Sequence, residues 1–175
     1  MDDLQRLSTE DFRASEKSSI VVVLENVRSM HNVGSVFRTC DAFRIEKICL
    51  CGYTPRPPHR DINKTALGAT ESVEWQGFDN ALEAVAEYKG LGYAIYAVEQ
   101  AHKSISLECF TSTPGQKIAV VFGNEAEGVS EELIQATEGC IEIPQFGSKH
   151  SFNISVAAGI VLWELFKQQS PEKHG

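Results

Sequence analysis

Short apolar runs, separated by polar and amphipathic segments, recur along almost the whole chain. The first run, Ile20-Val-Val-Val-Leu24, is continuous and rich in β-branched residues, which is typical of a strand buried on both faces of a sheet. Later runs have a similar length and character. The pattern predicts six strands, over residues 19–25, 47–51, 72–76, 93–98, 117–122 and 140–143.

Segments with apolar residues at helical spacing lie between these runs. The long ones begin at residues that can cap a helix, namely Asn32, Asp79, Ser130 and Asn153. Residues 52–60 contain three prolines, which forbid regular pairing, so a loop is expected there. The predicted helices cover residues 33–43, 79–88, 131–137 and 153–168, with a helical turn near 64–67 and a short helix or loose arm over 1–17.

Strands that alternate with helices predict an α/β fold with a mostly parallel sheet and helices on both of its faces. The 175 residues suit one domain, which we expect over residues 18–169, after a polar arm of residues 1–17 and before a tail of residues 170–175. Ligands of such sheets collect where the strands end. Loops that follow predicted strands are therefore the first places to look for chemistry.

Three of these loops combine small and polar residues in a way that a plain connection does not need. They cover residues 25–38, 121–130 and 143–160. The third is the most informative, because Gly147, Ser148 and Ser151 lead into a helix that begins near Asn153. Backbone N–H groups at a helix start lack intrahelical partners, and a ligand can satisfy them. The third loop therefore predicts a binding site.

The charge of the chain is unevenly distributed. The net charge is -8, yet residues 28–64 hold seven Lys and Arg against three Asp and Glu. This basic window can meet a phosphate backbone, and a solvated surface fits the charge pattern equally well.

Bulk properties predict a soluble cytoplasmic protein that does not enter a membrane. Hydrophobic residues make up 42% of the chain, and no apolar run approaches the roughly 20 residues that span a bilayer. The polar, acidic N-terminus is unlike a signal peptide. The five cysteines form no CxxC pair, which favours reduced thiols that pack as small apolar residues.

Several common chemistries lack their sequence signals. No G-x-G-x-x-G follows the first predicted strand, and the P-loop pattern is absent, which counts against dinucleotide and NTP binding. No spacing of His, Cys and Asp makes a convincing metal site. Glu125 and Glu127 do not by themselves establish the paired carboxylates of a glycosidase.

Taken together, three segments resemble the SpoU (TrmH-like) RNA ribose 2′-O-methyltransferases of the SPOUT superfamily. They are residues 26–43, 122–128 and 143–157, which occur in the family's order and spacing. The resemblance covers most of residues 20–166. One departure is Ser29-Met30, where relatives often have Asp-Pro; it leaves Asn32, Gly34 and Arg38 in place.

The resemblance implies a C-terminal deep trefoil knot whose backbone binds S-adenosyl-L-methionine. It also implies a homodimer, for which the small and apolar face of the last helix (Val156, Ala157, Gly159, Ile160 and Trp163) is suited; a face packed on the core fits this pattern as well. The residues expected at the cofactor are Val98, Gln100, Gly123, Asn124, Ile143, Gly147, Ser151 and Phe152.

For catalysis, the resemblance implies that Arg38 assists deprotonation of a ribose 2′-hydroxyl in tRNA or rRNA. Because an arginine side chain gives up its proton only far above neutral pH, orientation of the ribose and stabilisation of the alkoxide are easier roles than that of a base. Asn32 would position Arg38 or the ribose. Glu125, Ser151 and Asn153 would complete the polar pocket by hydrogen bonding. No metal is expected.

Plainer roles exist for two of these residues. Arg38 could pair with Asp41 on the surface of its helix, and Asn153 could serve only as a cap. The competing function is a catalytically silent knotted protein that binds RNA or a small adenosine ligand. Intact Arg38, Glu125, Ser151 and Asn153 count against silence. The basic window and residues 55–60 are the expected RNA-binding surface.

Overall fold

The computed structural model describes residues 7–170, which contain one sheet of seven parallel strands. Strand order across the sheet is β3-β2-β1-β6-β4-β7-β5. The strands are β1 (Ser18–Glu25), β2 (Ile45–Cys51), β3 (Trp75–Phe78), β4 (Ala94–Val98), β5 (Ile105–Ser106), β6 (Ile118–Phe122) and β7 (Gly139–Glu142).

Helices cover both faces of the sheet, so the predicted fold class is confirmed. They are α1 (Thr9–Ala14), α2 (Met30–Ala42), α3 (Arg60–Ala66), α4 (Ala69–Ser72), α5 (Ala81–Gly90), α6 (Glu131–Gln135) and α7 (Ile154–Gln169). Helices α2 and α7 pack against one face, while α5 and α6 pack against the other. Within residues 7–170, none of the helices is long and apolar enough to cross a bilayer.

The interior strand β1 accounts for the clearest hydrophobic run in the sequence. It lies between β2 and β6, and residues 20–24 are completely buried. Val22 belongs to the core beneath α2 and α7, whereas Val21 and Val23 belong to the core beneath α5 and α6. A strand covered on both faces needs apolar side chains at every position, so alternation disappears.

The predicted polar arm is partly built into the domain. Phe12 of α1 is 5% exposed and joins the core beneath α2 and α7. Residues 1–6 and 171–175, which include the start of the predicted arm and nearly all of the predicted tail, lie outside the described residues. The trefoil knot stays a prediction from the family resemblance.

Some predicted boundaries were wrong. Asn32 does not cap α2, because Ser29 precedes it, takes that position and accepts a hydrogen bond from the Asn32 backbone N–H. Asn80, not Asp79, caps α5. Ser130 precedes α6 as expected, but its hydroxyl donates to Glu25 at 2.5 Å and makes no capping bond.

Between residues 60 and 78 the observed helices and strand differ from the predicted ones in number and position. Helix α3 begins at Arg60, α4 occupies residues 69–72, and β3 starts only at Trp75, so the strand predicted over 72–76 was displaced. Strand β5 was missed because two residues are too few to form a pattern.

The exposure of side chains on α7 bears on whether its small and apolar face packs on the core or is available to a partner. Val156, Ile160 and Trp163 are 50%, 36% and 44% exposed, so these side chains do not pack in the core. The opposite face, with Ala158, Val161, Leu162 and Leu165, is completely buried. A purely core-facing role was therefore wrong for Val156, Ile160 and Trp163, whereas Ala157 of the same predicted face does pack against the core.

Gly34 lets α2 approach α3 closely, so a larger residue at this position should destabilise the fold. A Cβ at this position would overlap Thr65 Oγ1 and the carbonyl oxygen of Ile62. We expect Gly34→Ala to lower the free energy of unfolding by about 1–3 kcal/mol, as for overpacking in a core. Urea denaturation measures this change. Gly90→Ala, at a helical glycine with open space around it, is the matched control and should be nearly neutral; equal losses would contradict the steric argument.

Candidate active site

The three polar loops meet at the carboxyl edge of the sheet. The Glu125 carboxylate accepts hydrogen bonds from the backbone N–H groups of Arg28 and Ser29, both at 3.0 Å, and so joins the second loop to the first. Asn153 donates through Nδ2 to Asn32 Oδ1 at 3.2 Å, which joins the third loop to the first. Segments more than ninety residues apart in sequence therefore form one surface.

Asn124 organises the second loop from within. Its side chain is 6% exposed. Nδ2 donates to the carbonyl oxygen of Asn26 at 2.8 Å, while Oδ1 accepts from the backbone N–H of Ala126 at 2.8 Å. Its backbone exchanges two hydrogen bonds with Gly128, at 3.0 and 2.8 Å. Gly123 lies against this turn, and a Cβ there would overlap the Gly128 backbone. Gly123 is therefore required by this close approach, and Gly128 by its positive φ of 71°.

A cleft of about 450 Å³ opens beside these loops, between the ends of β4, β6 and β7. Most residues expected at the cofactor line it, and Glu125 and Asn153 line it too. Gly147 belongs to the same loop as Ser151 but does not line the cleft. The expected cofactor residues found in the lining are Val98, Gln100, Gly123, Asn124, Ile143, Ser151 and Phe152.

The cleft is acidic, which the sequence reading missed. Four carboxylates line it, from Glu99, Glu125, Glu127 and Glu142. Glu99 accepts from the Val129 backbone N–H at 3.1 Å, and Glu142 accepts from Ser104 Oγ at 2.6 Å. Glu99 directly follows β4, so the rule that ligands gather where parallel strands end could have found it. Among residues 7–170, no cluster of His, Cys, Asp and Glu is arranged to hold a metal ion.

Hydrogen bonds favour the ionised form of Glu125. Burial alone would raise the pKa of this carboxyl, but donation from the backbone N–H groups of Arg28 and Ser29 outweighs it and lowers the pKa below 4.5. Asn32 Nδ2 adds a weaker contact at 3.5 Å. The carboxylate faces the start of α2, where negative charge is favoured by the helix dipole.

Arg38 does not line the cleft. It is exposed on α2, in a neighbouring depression of about 500 Å³ that also contains Lys64, Thr65 and Ser155. Within residues 7–170 its guanidinium makes no hydrogen bond or ion pair. The alternative pairing with Asp41 was wrong, because the Asp41 carboxylate accepts from Ser72 Oγ at 2.5 Å.

Asn153 connects the cleft to this depression. It caps α7, since Oδ1 accepts from the backbone N–H and hydroxyl of Ser155 at 2.9 and 2.6 Å. At the same time its Nδ2 donates to Asn32, one turn and a half before Arg38 on α2. Capping and site assembly are therefore compatible roles of one side chain.

Comparison with known proteins decides the family. The model of the SpoU rRNA Methylase family matches residues 19–163, which is most of the chain. The chain belongs to the SpoU rRNA methylase family. The match includes the cleft, the Arg38 depression and the exposed face of α7.

Individual relatives of the SpoU family agree with this assignment. The tRNA (guanosine(18)-2′-O)-methyltransferase of Thermus thermophilus is 30% identical over 167 residues, 95% of this chain and 84% of the relative. The A. aeolicus TrmH/SpoU tRNA modifying enzyme superposes with a TM-score of 0.82 at 27% identity, over 94% of this chain and 83% of that one. An AdoMet-bound rRNA methyltransferase from Sinorhizobium meliloti gives a TM-score of 0.79 at 25% identity, over 88% and 59%.

The Glu125 hydrogen bonds predict a pH-dependent stability. In Glu125→Gln an amide NH₂ group replaces one of the two carboxylate oxygens. A donor then faces a backbone N–H group of Arg28 or Ser29, and one hydrogen bond is lost. Because the site is exposed to solvent, we expect a loss of only about 1 kcal/mol in the free energy of unfolding at neutral pH. The pKa of Glu125 is lower in the folded state than in the unfolded state, so its ionised form stabilises the fold at any pH above the unfolded-state pKa. This stabilisation disappears as the pH falls through the folded-state pKa.

Urea unfolding at neutral and acidic pH measures both effects. The gap between wild type and Glu125→Gln should close as the pH falls below 4.5. Glu127→Gln, at an exposed neighbour in the same loop, is the control and should not reproduce the loss at neutral pH. A gap that stays constant with pH would contradict the assigned role of the carboxylate.

Proposed function

We propose that this chain is an S-adenosyl-L-methionine-dependent RNA methyltransferase that modifies a ribose 2′-hydroxyl of tRNA or rRNA. The observation that supports this most directly is the joining of the three SpoU-like segments around one acidic cleft by Glu125 and Asn153. Relatives named as tRNA and rRNA methyltransferases cover most of the chain.

The cleft fits the cofactor chemically. When bound, S-adenosyl-L-methionine supplies an electrophilic methyl group on a sulfonium cation. Carboxylates of Glu99, Glu127 and Glu142 give the cleft the charge that a cation prefers. Val98, Ile143 and Phe152 offer apolar surface for an adenine ring. We infer that Gln100, Gly123, Asn124 and Ser151 complete the cofactor site; Gly147 stays a prediction.

Arg38 would act on the ribose from the neighbouring depression. A guanidinium is better suited to stabilising the alkoxide and orienting the sugar than to removing a proton. Lys64 lies in the same depression and is paired with Asp61 at 2.6 Å; an RNA phosphate would compete with that exposed carboxylate for its ammonium group. Asn32 and Asn153, hydrogen-bonded to each other, would fix the border between ribose and cofactor. Glu125 holds the loop that precedes Asn32 and is a positioning residue.

The RNA surface would extend along the basic window. Arg28, Arg38 and Lys64 lie on or beside the loops that form the site. A local positive face lets a protein of net charge -8 bind a polyanion. Residues 18–169 would then constitute the catalytic domain, working in the cytoplasm where tRNA and rRNA are substrates.

A homodimer is the second part of the proposal. Val156, Ile160 and Trp163 present an exposed apolar strip along α7, beside the Arg38 depression, which Val156 also lines. Contiguous exposed apolar side chains mark interaction surfaces. A symmetric contact through this strip would bury it.

Methyl transfer provides the direct test of the function. We expect the purified protein to transfer labelled methyl groups from S-adenosyl-L-methionine to bulk tRNA or rRNA, and nuclease digestion should yield 2′-O-methylated nucleosides. Arg38→Ala should lower the rate by about a hundredfold or more, because an electrostatic partner of the alkoxide is lost. Since Arg38 lies outside the cleft, calorimetry should show unchanged cofactor affinity.

Lys89→Ala is the matched control, because it removes one positive charge at the far end of α5. Its activity should equal that of the wild type. If digestion found the labelled methyl groups on bases and not on the ribose, the 2′-O assignment would be wrong. An absence of cofactor binding would favour the silent RNA-binding alternative, and equal rates for Arg38→Ala and wild type would remove Arg38 from the mechanism.

The dimer has its own test. Ile160→Glu places a charge in the middle of the exposed strip, and burying an unpaired charge is costly. Analytical ultracentrifugation should find a dimeric wild type and a monomeric variant. Leu91→Glu, at a 54% exposed leucine in the turn after α5, should remain dimeric. A monomeric wild type would overturn the proposal.

A further inference from the structure

Tyr53 is a large aromatic side chain left in solvent beside the candidate active site. Its side chain is 57% exposed. It follows β2 by two residues and therefore lies at the carboxyl edge of the sheet, with the polar loops. Tyr53 lines neither the cleft nor the Arg38 depression, and it lies outside the apolar strip of α7.

The backbone that carries Tyr53 is fixed from several sides. Its N–H donates to Asn26 Oδ1 at 3.2 Å, and the N–H of Gly52 donates to the Phe78 carbonyl at 3.1 Å. The buried Thr54 hydroxyl donates to the Cys51 carbonyl at 2.8 Å and accepts from the Val27 N–H at 3.1 Å. Because hydrogen bonds already fix the backbone of this turn, the exposed ring loses little conformational entropy when a ligand covers it.

A cation accompanies the ring. The Arg28 guanidinium carbon lies 6.0 Å from the ring centroid of Tyr53, and the Arg28 backbone is held by Glu125. The Tyr53 hydroxyl lies 3.4 Å from Asn124 Nδ2, and Asn124 lines the cleft. The ring and the cation therefore border the cleft on the side of β1 and β2.

We propose that Tyr53 and Arg28 form a stacking site for an unpaired nucleobase of the substrate RNA, on the β2 side of the cleft. Aromatic rings and guanidinium planes stack on bases of any sequence, while the positive charge attracts the adjoining phosphate. The inference rests on the proposed function, because it places this base relative to the candidate methylation site.

A fluorescent RNA tests stacking without requiring catalysis. The probe is a short single-stranded oligoribonucleotide with one central 2-aminopurine, whose fluorescence falls when the base stacks. Wild type and Tyr53→Phe should quench it. Tyr53→Leu keeps an apolar side chain without a π face and should bind the probe about tenfold more weakly. Arg28→Leu should also weaken binding, whereas Lys89→Leu, at the opposite edge, should not.

Kinetics on bulk tRNA or rRNA give the second readout. Tyr53→Leu should raise KM for RNA by about tenfold while leaving kcat at saturating RNA within about twofold, and Tyr53→Phe should restore the wild-type KM. Circular dichroism and calorimetry with S-adenosyl-L-methionine should show that the variant is folded and binds the cofactor normally.

The outcomes separate the two proposals. If the wild type methylates RNA and Tyr53→Leu has an unchanged KM, or if the wild type fails to quench the probe, the stacking site is overturned while the methyltransferase proposal stands. If Tyr53→Leu weakens cofactor binding as much as RNA binding, the ring serves the cofactor's adenine and the stacking site is again overturned. Quenching that depends on Tyr53 in a protein without methyl transfer would support the stacking site and contradict the proposed function.

Discussion

The carboxylate of Glu125 is the contact on which the site geometry depends. It satisfies two backbone N–H groups of residues 28 and 29, just before α2, where such groups have no partner within a helix. Through that single side chain, the turn of residues 124–128 fixes the loop that carries Arg28 and leads to Asn32. Asn124 reinforces the same junction by donating to the Asn26 carbonyl. Both proposed binding sites, for cofactor and for base, share this junction as their common wall.

The sheet order makes the junction possible. Because β1 pairs in parallel with β6, their carboxyl ends are adjacent, and residues 97 positions apart in sequence come within hydrogen-bonding distance. Strands β4 and β7 lie on the other side of β6, so the acidic cleft forms there. Strand β2 lies beyond β1, so Tyr53 is placed on the opposite side of Asn124. The order of the strands thus separates a cofactor side from a base side.

Different parts of this arrangement were readable from the sequence to different degrees. Strand β1 was clear because both of its faces are buried, and the three loops were recognisable by their small polar residues at strand ends. The start of α2 was wrong because Ser29 and Asn32 are both good caps and only the packed structure shows which one is used. Glu125 could be named but its role could not, since its partners are backbone groups in a distant loop. Glu142 was missed because it lies within a strand that the pattern treats as core.

The separation of Arg38 from the cleft has a consequence for the proposed reaction. The methyl donor is a cation, and a guanidinium in the same small cleft would repel it by about 4 kcal/mol at 4 Å for an effective dielectric constant of about 20. Placing the carboxylates in the cleft and Arg38 with Lys64 in the neighbouring depression avoids this cost in the ground state. In the proposed reaction the 2′-hydroxyl would release its proton to solvent as its oxygen attacks the methyl group, and the negative charge that develops on this oxygen would face the Arg38 guanidinium. The attraction to Arg38 would then be strongest in the transition state, which is the condition under which binding energy raises the rate.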